Sequence, residues 1–379
     1  MKIKKLLFIV NVDWFFISHR LPIALAAQEK GYEVHIACGI TDKRNYLEEL
    51  GLIIHPLNLS RGSTGILQEI KSFMDIRKVL KNVNPSVVHF VTIKPVLYGG
   101  TASRLLGFKN KVFAISGLGY VFTSNTLKTS ILRFFIVQLY KIALGGSNLK
   151  VIVQNLNDKE ILTKNKIVQD KFITLIRGSG VDIKHYTYEK EPSGTPIIVM
   201  ASRLLKDKGV MEFTQAAKIL LSKDINAVFR LYGDIDEHNP ASLNLEELTK
   251  IKNENIVEVH GYEKNIANVF SNSNIVILPS YREGLPKVLI EAAASGRAVV
   301  TTDVPGCRDA IEADKTGILV EVKNSNALAD AIEKLINNKE QRVIMGQAGR
   351  KLAENEFTIE KVIDTHLNIY QSFYEDNNQ

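Results

Sequence analysis

Short apolar runs rich in β-branched and aromatic residues alternate with longer stretches of helical periodicity along the whole chain. Leu6 to Val12, Glu33 to Cys38, Ser86 to Thr92, Lys111 to Ser116, Lys150 to Gln154 and Phe172 to Ile176 read as strands of a sheet covered on both faces, because most are nearly continuous in apolar residues. Between them, 20–30, 66–82 and 127–144 repeat apolar positions every three or four residues and predict amphipathic helices. Strands that alternate with helices build parallel sheets, since a parallel neighbour is reached only through a crossover. The series breaks at Pro192-Ser193-Gly194-Thr195-Pro196 and restarts with Ile197 to Ala201, Ala227 to Tyr232, Ile256 to His260, Ile275 to Leu278 and Ala298 to Thr302. The expected fold class is α/β, with two Rossmann-like, doubly wound parallel-sheet domains joined near 182–196 and facing across a cleft. Ligands of such sheets bind beyond the carboxyl ends of the strands, so the cleft is the expected site.

Composition agrees with this reading. A chain of 379 residues, 45% hydrophobic and 23% charged, has room for two such domains. The two cysteines, Cys38 and Cys307, make neither a disulfide framework nor a thiolate metal site; they read as small apolar fillers in a reducing compartment. The apolar run after Met1-Lys2-Ile3-Lys4-Lys5 is broken by Asn11 and Asp13, which fits a first buried strand better than a signal peptide. Charge is uneven: residues 1–190 carry 27 Lys and Arg against 13 Asp and Glu, a net +14, and residues 191–379 carry a net −7. The first half is therefore the half that meets an anionic partner, if it is more than a solvated basic surface.

The chemistry concentrates at 280–296, Ser-Tyr-Arg-Glu-Gly-Leu-Pro-Lys-Val-Leu-Ile-Glu-Ala-Ala-Ala-Ser-Gly. Glu283 stands just before a predicted helix and Glu291 inside it, with Gly284 and Pro286 at the entry, where unpaired backbone N–H groups favour an anion. Two carboxylates beside an anion site suit a molecule that is part phosphate and part polyol, such as a sugar nucleotide. Beyond the strand 197–201, Ser202-Arg203-Leu204-Leu205-Lys206-Asp207-Lys208-Gly209 supplies a guanidinium fork and a movable ammonium, a pair suited to two linked phosphates. Glycoside hydrolysis fits less well, because eight helical positions rise about 12 Å whereas hydrolytic carboxylates stand about 5 to 9.5 Å apart. Asp234-Ile235-Asp236 has the form of a divalent-metal motif but follows a Gly-rich turn, and no metal is expected. Gly117-Leu118-Gly119 and Gly178-Ser179-Gly180 lack the third glycine and the acidic residue of a dinucleotide fingerprint, which argues against hydride chemistry.

Arg203 with Lys208-Gly209, then Pro279-Ser280, Glu283 and Glu291, followed by Ala298 to Asp303 and Thr316 to Val320, resemble the donor-site motifs of the family 4 glycosyltransferases, retaining enzymes of the GT-B fold. The resemblance covers nearly the whole chain. It implies an acceptor-binding domain of 1–184 together with a final helix at about 358–379, and a donor-binding domain of 185–357. It also implies that Arg203 and Lys208 hold the nucleotide diphosphate, that Glu283 contacts sugar hydroxyls, and that Glu291 binds the ribose. Gly284 and Leu285 would add backbone contacts to phosphate, beside Pro279 and Ser280. In this family the departing phosphate oxygen is thought to take the acceptor's proton, so neither a general-base carboxylate, a metal nor a cofactor is expected.

The loop after the first strand departs from the Gly-Gly form common in the family. Val12-Asp13-Trp14-Phe15-Phe16-Ile17-Ser18-His19-Arg20-Leu21-Pro22 is instead similar to the branch acting on undecaprenyl-diphosphate-linked acceptors, including α-1,3-N-acetylgalactosaminyltransferases of O-antigen, capsule and glycan assembly. Asp13, His19, Arg20, His89, Lys94, Gly117 and Tyr120 become acceptor or sugar contacts on that reading, although Arg20 at a helix start also fits a surface role and His89 a structural one. The segment 127–144 is too short and too charged to span a bilayer, and reads either as an interfacial helix or as a buried one. The implied protein is a cytoplasmic enzyme, peripheral at the inner face of the cell membrane. It moves a hexose or N-acetylhexosamine, most simply from a UDP donor, to a polyprenyl-diphosphate-linked glycan, with no nucleic-acid partner. A sugar-nucleotide epimerase on the same fold is the alternative.

Overall fold

The computed structural model describes residues 3–59, 65–118, 122, 127–236 and 239–375. Two compact units emerge, Met1–Ser179 with Glu360–Gln379, and Gly180–Ile359.

The first unit is built on a seven-stranded parallel sheet of β1 (Lys4–Val12), β2 (Tyr32–Gly39), β3 (Ile53–Pro56), β4 (Val87–Val91), β5 (Lys111–Ile115), β6 (Leu149–Val153) and β7 (Ile173–Leu175), in the order β3-β2-β1-β4-β5-β6-β7. The second carries β8 (Ile197–Ala201), β9 (Val228–Tyr232), β10 (Glu258–Gly261), β11 (Ile275–Leu278), β12 (Ala298–Thr302) and β13 (Gly317–Val320), in the order β10-β9-β8-β11-β12-β13. Strand order reverses between β1 and β4 in one sheet and between β8 and β11 in the other. Loops leaving these pairs diverge to opposite faces of the sheet and leave a crevice, so each reversal is the place to look for a ligand.

β3 and β13 are not among the strands expected from sequence. Each is four residues long at the edge of its sheet, one closing on Pro56 and the other opening on Gly317. Short edge strands that carry Pro or Gly have little apolar run to read, and they also blunt edge-to-edge pairing.

Leu6 to Val10 are fully buried in β1, as a strand covered on both faces requires. Part of that cover is the last helix, Ile359–Glu375, whose Val362, Ile369, Tyr370 and Phe373 join Leu6, Phe8 and Val10 in one apolar cluster. A polar seam crosses this contact. The Tyr370 hydroxyl and His89 Nδ1, on β4, share a 2.7 Å hydrogen bond, and His366 Nδ1 donates to the Val362 carbonyl at 2.7 Å.

Burial, reinforced by the charges nearby, holds His89 well below the ordinary imidazole range and His366 at about 3. The unfolded chain protonates both near pH 6.5, so it binds protons that the folded unit excludes. Their contribution to stability is therefore complete above about pH 6.5 and is lost as pH falls from there towards 3, at up to ~1.4 kcal/mol per pH unit for each ring. Thermal melts between pH 7.5 and 5 should show this loss, with a shallower acid limb in His366→Gln. Equal limbs for the two proteins would contradict the assignment.

Candidate active site

In the second unit the chain leaves β8 through a tight turn that only particular residues allow. Gly233, at the end of β9, has φ 135°, and a Cβ there would lie 1.8 Å from the Ser202 carbonyl oxygen. Gly209 closes the turn at φ 78°, where a Cβ would lie 2.2 Å from the Pro279 carbonyl oxygen. With no side chain at 209, the turn after β8 rests directly on the segment after β11. The Asp207 carbonyl then accepts the Tyr281 N–H at 2.8 Å and the Ser280 hydroxyl at 3.1 Å. From the far side, Thr302 donates its hydroxyl to the Ser280 carbonyl, and Gly306 packs where a Cβ would meet the carbonyl oxygens of Glu283 and Gly284 at 2.6 and 2.4 Å.

That stitching brings the sequence-predicted groups together at the β8/β11 reversal. Lys208 and Glu283, far apart in the chain, form an ion pair, with side-chain exposures of 20% and 11%. Arg203 donates from Nη1 to Asp236 Oδ2 at 2.8 Å and is 45% exposed. Asp236, considered above only within a metal motif, thus orients a guanidinium. Among the described residues no group of three or more His, Cys, Asp and Glu is placed to hold a metal ion.

Glu291 lies on the helix Lys287–Ala294, whose N-cap is Pro286, one position earlier than the first-turn placement expected. The carboxyl is 7% exposed, and burial raises its pKa against the pull of Lys287 at 3.4 Å and a hydrogen bond from Tyr186. Burial, with Glu291 beside it, also pushes the Tyr186 phenol well above its usual range, so Tyr186 remains a donor. No local pattern marks Tyr186 or Asp236, because each meets its partner only through the fold. Leu285 is buried in the apolar cluster beneath the site, and Pro279 and Ser280 form its backbone wall.

The first unit distributes its predicted contacts less evenly. Asp13 is fully buried and its oxygens accept from Trp14 N, Thr41 N, Thr41 Oγ1 and Lys43 N at 2.8, 2.7, 2.8 and 3.3 Å. These bonds tie the turn after β1 to the segment 41–43. Arg20 is not a surface residue: it is 2% exposed, its Nη1 donates to the His19 carbonyl at 2.8 Å, and its Nε has no protein partner. Burial lowers its pKa to about 10, so it keeps its charge at neutral pH. His19 stacks on Phe15, centroids 4.1 Å apart. His89 does not end its strand facing open space; it sits within β4, fully buried against Tyr370. Lys94, which follows β4, pairs with Glu69 at 2.7 Å, and Tyr98 donates to the other Glu69 oxygen at 2.7 Å. Gly117 lines a cavity beyond β4 and β5. Tyr120 lies outside the described residues.

Comparison with known proteins gives this geometry a family context. A model described as "Glycosyl transferases group 1" matches residues 186–352, and one described as "Glycosyl transferase 4-like" matches residues 5–155. The chain is 29% identical over 349 residues to the N,N'-diacetylbacillosaminyl-diphospho-undecaprenol alpha-1,3-N-acetylgalactosaminyltransferase of Campylobacter jejuni, covering 86% of this chain and 90% of that one. It is 23% identical to the UDP-Gal:alpha-D-GlcNAc-diphosphoundecaprenol alpha-1,3-galactosyltransferase of Escherichia coli, covering 80% of each. A crystal structure of a glycosyltransferase from Rickettsia africae superposes with a TM-score of 0.74 at 21% identity, over 99% of both chains.

Proposed function

We propose that this chain, which belongs to the glycosyltransferases through a 4-like first unit and a group 1 second unit of GT-B architecture, moves a hexose or N-acetylhexosamine from a UDP-sugar to a polyprenyl-diphosphate-linked glycan, with retention. The observation that carries the donor side is the Lys208–Glu283 pair beside Arg203, assembled where the loops of β8 and β11 meet. On binding, the diphosphate takes Lys208 and Arg203 as counter-ions, and Glu283, released from Lys208, accepts hydrogen bonds from sugar hydroxyls. Glu291, positioned by Tyr186, accepts from the ribose. As the anomeric bond breaks, charge grows on the β-phosphate, where Lys208, Arg203 and the end of the helix Lys287–Ala294 would stabilise it. That supplies the neutralisation a metal would otherwise give, so no resident metal or cofactor enters the proposal.

The acceptor class rests on relatives whose names specify undecaprenyl-diphosphate-linked substrates, and on the basic first unit. Both matched models are transferase models, which removes the epimerase alternative. The working place is the cytoplasmic face of the cell membrane. Among the described residues no helix is long and apolar enough to cross it. The helix Leu127–Ala143 nevertheless buries Val137, Tyr140 and Ala143 while exposing Ile131, Phe134 and Phe135 at 56%, 61% and 59%, with Arg133 and Lys141 on the same helix. An apolar side with cations beside it suits the interface of an anionic bilayer. Sedimentation with anionic vesicles, and not with neutral ones, is the check.

Incubation with a panel of UDP-sugars, with and without a polyprenyl-diphosphate-linked sugar, tests the whole reading. Expected are acceptor-dependent UDP release, insensitivity to EDTA, and an α-linked product by NMR coupling constants. An acceptor-independent change of the sugar, or a β-linked product, would overturn it.

A further inference from the structure

The contact between Tyr186 and Glu291 joins two segments distant in the chain, and a third element bridges them. Glu291 lies on the helix Lys287–Ala294, whose last carbonyls need partners from outside the helical ladder. Those of Glu291, Ala292 and Ala293 accept from the N–H groups of Ser295, Arg297 and Gly296, and that of Ala294 accepts from Arg350 Nη1 at 2.6 Å. Tyr186 ends a turn closed by Asp182, whose carbonyl accepts the Tyr186 N–H and whose Oδ1 accepts the Lys184 N–H, both at 2.9 Å. The Tyr186 carbonyl accepts from the same Arg350 Nη1 at 2.6 Å, and the Ile183 carbonyl from Nη2 at 3.3 Å. One guanidinium therefore spans the main chain of the turn that carries Tyr186 and of the helix that carries Glu291.

The guanidinium is itself held in place. Arg350 stands on the helix Lys339–Glu356, which approaches the end of the helix Lys287–Ala294 so closely that a Cβ at Gly346 would lie 2.1 Å from the Gly296 carbonyl oxygen. Glycine is a poor helix residue, and that approach accounts for it here. Arg350 Nε donates to Glu354 Oε1 at 2.7 Å, one turn further along, and the arginine side chain is only 16% exposed. A planar fork with donors in fixed directions holds several carbonyls at set positions, which an ammonium on a flexible stem does not. Tyr186 and Glu291 are both buried, so the separation of their side chains follows that of their backbones.

We infer that Arg350 is a positioning residue for ribose binding: by bridging the Tyr186 and Ala294 carbonyls it sets the distance at which Tyr186 holds the Glu291 carboxyl towards the ribose hydroxyls. The inference rests on the proposed role of Glu291 as the ribose contact.

Calorimetric titration with UDP and with 2′,3′-dideoxy-UDP, which lacks the two ribose hydroxyls, measures this in wild type, Glu291→Gln and Arg350→Lys. Wild type is expected to favour UDP at least tenfold, the worth of two hydrogen bonds. Glu291→Gln and Arg350→Lys should each cut that preference about three- to tenfold, with dideoxy-UDP bound as in wild type. A preference in Arg350→Lys equal to that of wild type, or parallel losses for the two ligands, would overturn the inference; parallel losses are what a purely structural role produces. Should the lysine variant not fold, Arg350→Gln takes its place in the same comparison. If wild type shows no preference, or Glu291→Gln keeps it in full, the ribose reading of Glu291 fails by itself, and NMR of protein labelled at the tyrosine Cζ decides about Arg350. The Tyr186 resonance, identified by its loss in Tyr186→Phe, upholds the positioning role if it moves in Arg350→Lys as it does in Glu291→Gln; an unmoved resonance overturns it.

Discussion

Lys208→Ala is expected to lower kcat/KM for sugar transfer by about 10²- to 10³-fold, the range observed when one preorganised group facing developing charge is removed. The lysine lies in a turn that Gly209 presses onto Pro279, so its backbone is fixed before substrate arrives and binding has only to exchange Glu283 for the diphosphate at its ammonium. Glu283→Gln should fall into the same range, since an amide keeps the shape but gives up the charge-assisted hydrogen bond to a sugar hydroxyl. The two effects should not add. Each substitution breaks the same ion pair, and residues that act as a unit give double variants scarcely worse than single ones. Steady-state transfer kinetics on the two single variants and the double variant measure this. Additive losses would mean that the residues act independently.

Gly209→Ala is expected to disable the site through the backbone. At φ 78° an L-residue costs about 1–2 kcal/mol, and a Cβ 2.2 Å from the Pro279 carbonyl adds an overpacking cost of about 1–3 kcal/mol, because the obstacle is main chain and cannot swing aside. The turn has to lift away from 279–283, carrying Lys208 away from Glu283. Denaturant unfolding should report a loss of about 2–5 kcal/mol by this reasoning, accompanied by loss of transfer in the fraction that stays folded. A variant with wild-type stability and activity would show that the contact at Gly209 is not what holds the two segments together.

How much of this was readable before folding depends on the distance over which each feature is encoded. The parallel strands near the centres of both sheets are continuous apolar runs, and Glu283 and Glu291 with the Lys208-Gly209 turn are local patterns, so these could be read directly. β3 and β13 could not, because four-residue edge strands bounded by Pro56 and Gly317 lack the run that marks a buried strand. Partnerships were equally invisible. Asp236 reaches Arg203 and Tyr186 reaches Glu291 only once crossovers bring distant segments together. Polar residues near the strand ends of the first unit were read as substrate contacts, yet Asp13 accepts from four protein donors and His89 is buried with its Nδ1 bonded to Tyr370 of the last helix, a distinction that residue type and spacing do not carry.

The central claim is that the second unit holds a nucleotide sugar with its cations on the diphosphate. Calorimetric titration of wild type and Lys208→Ala with UDP and with uridine tests it most directly, because uridine keeps the base and ribose but has no phosphate. The account predicts that Lys208→Ala weakens UDP at least tenfold while leaving uridine binding as it is in wild type; equal UDP affinity in the two proteins, or parallel losses for UDP and uridine, would contradict it.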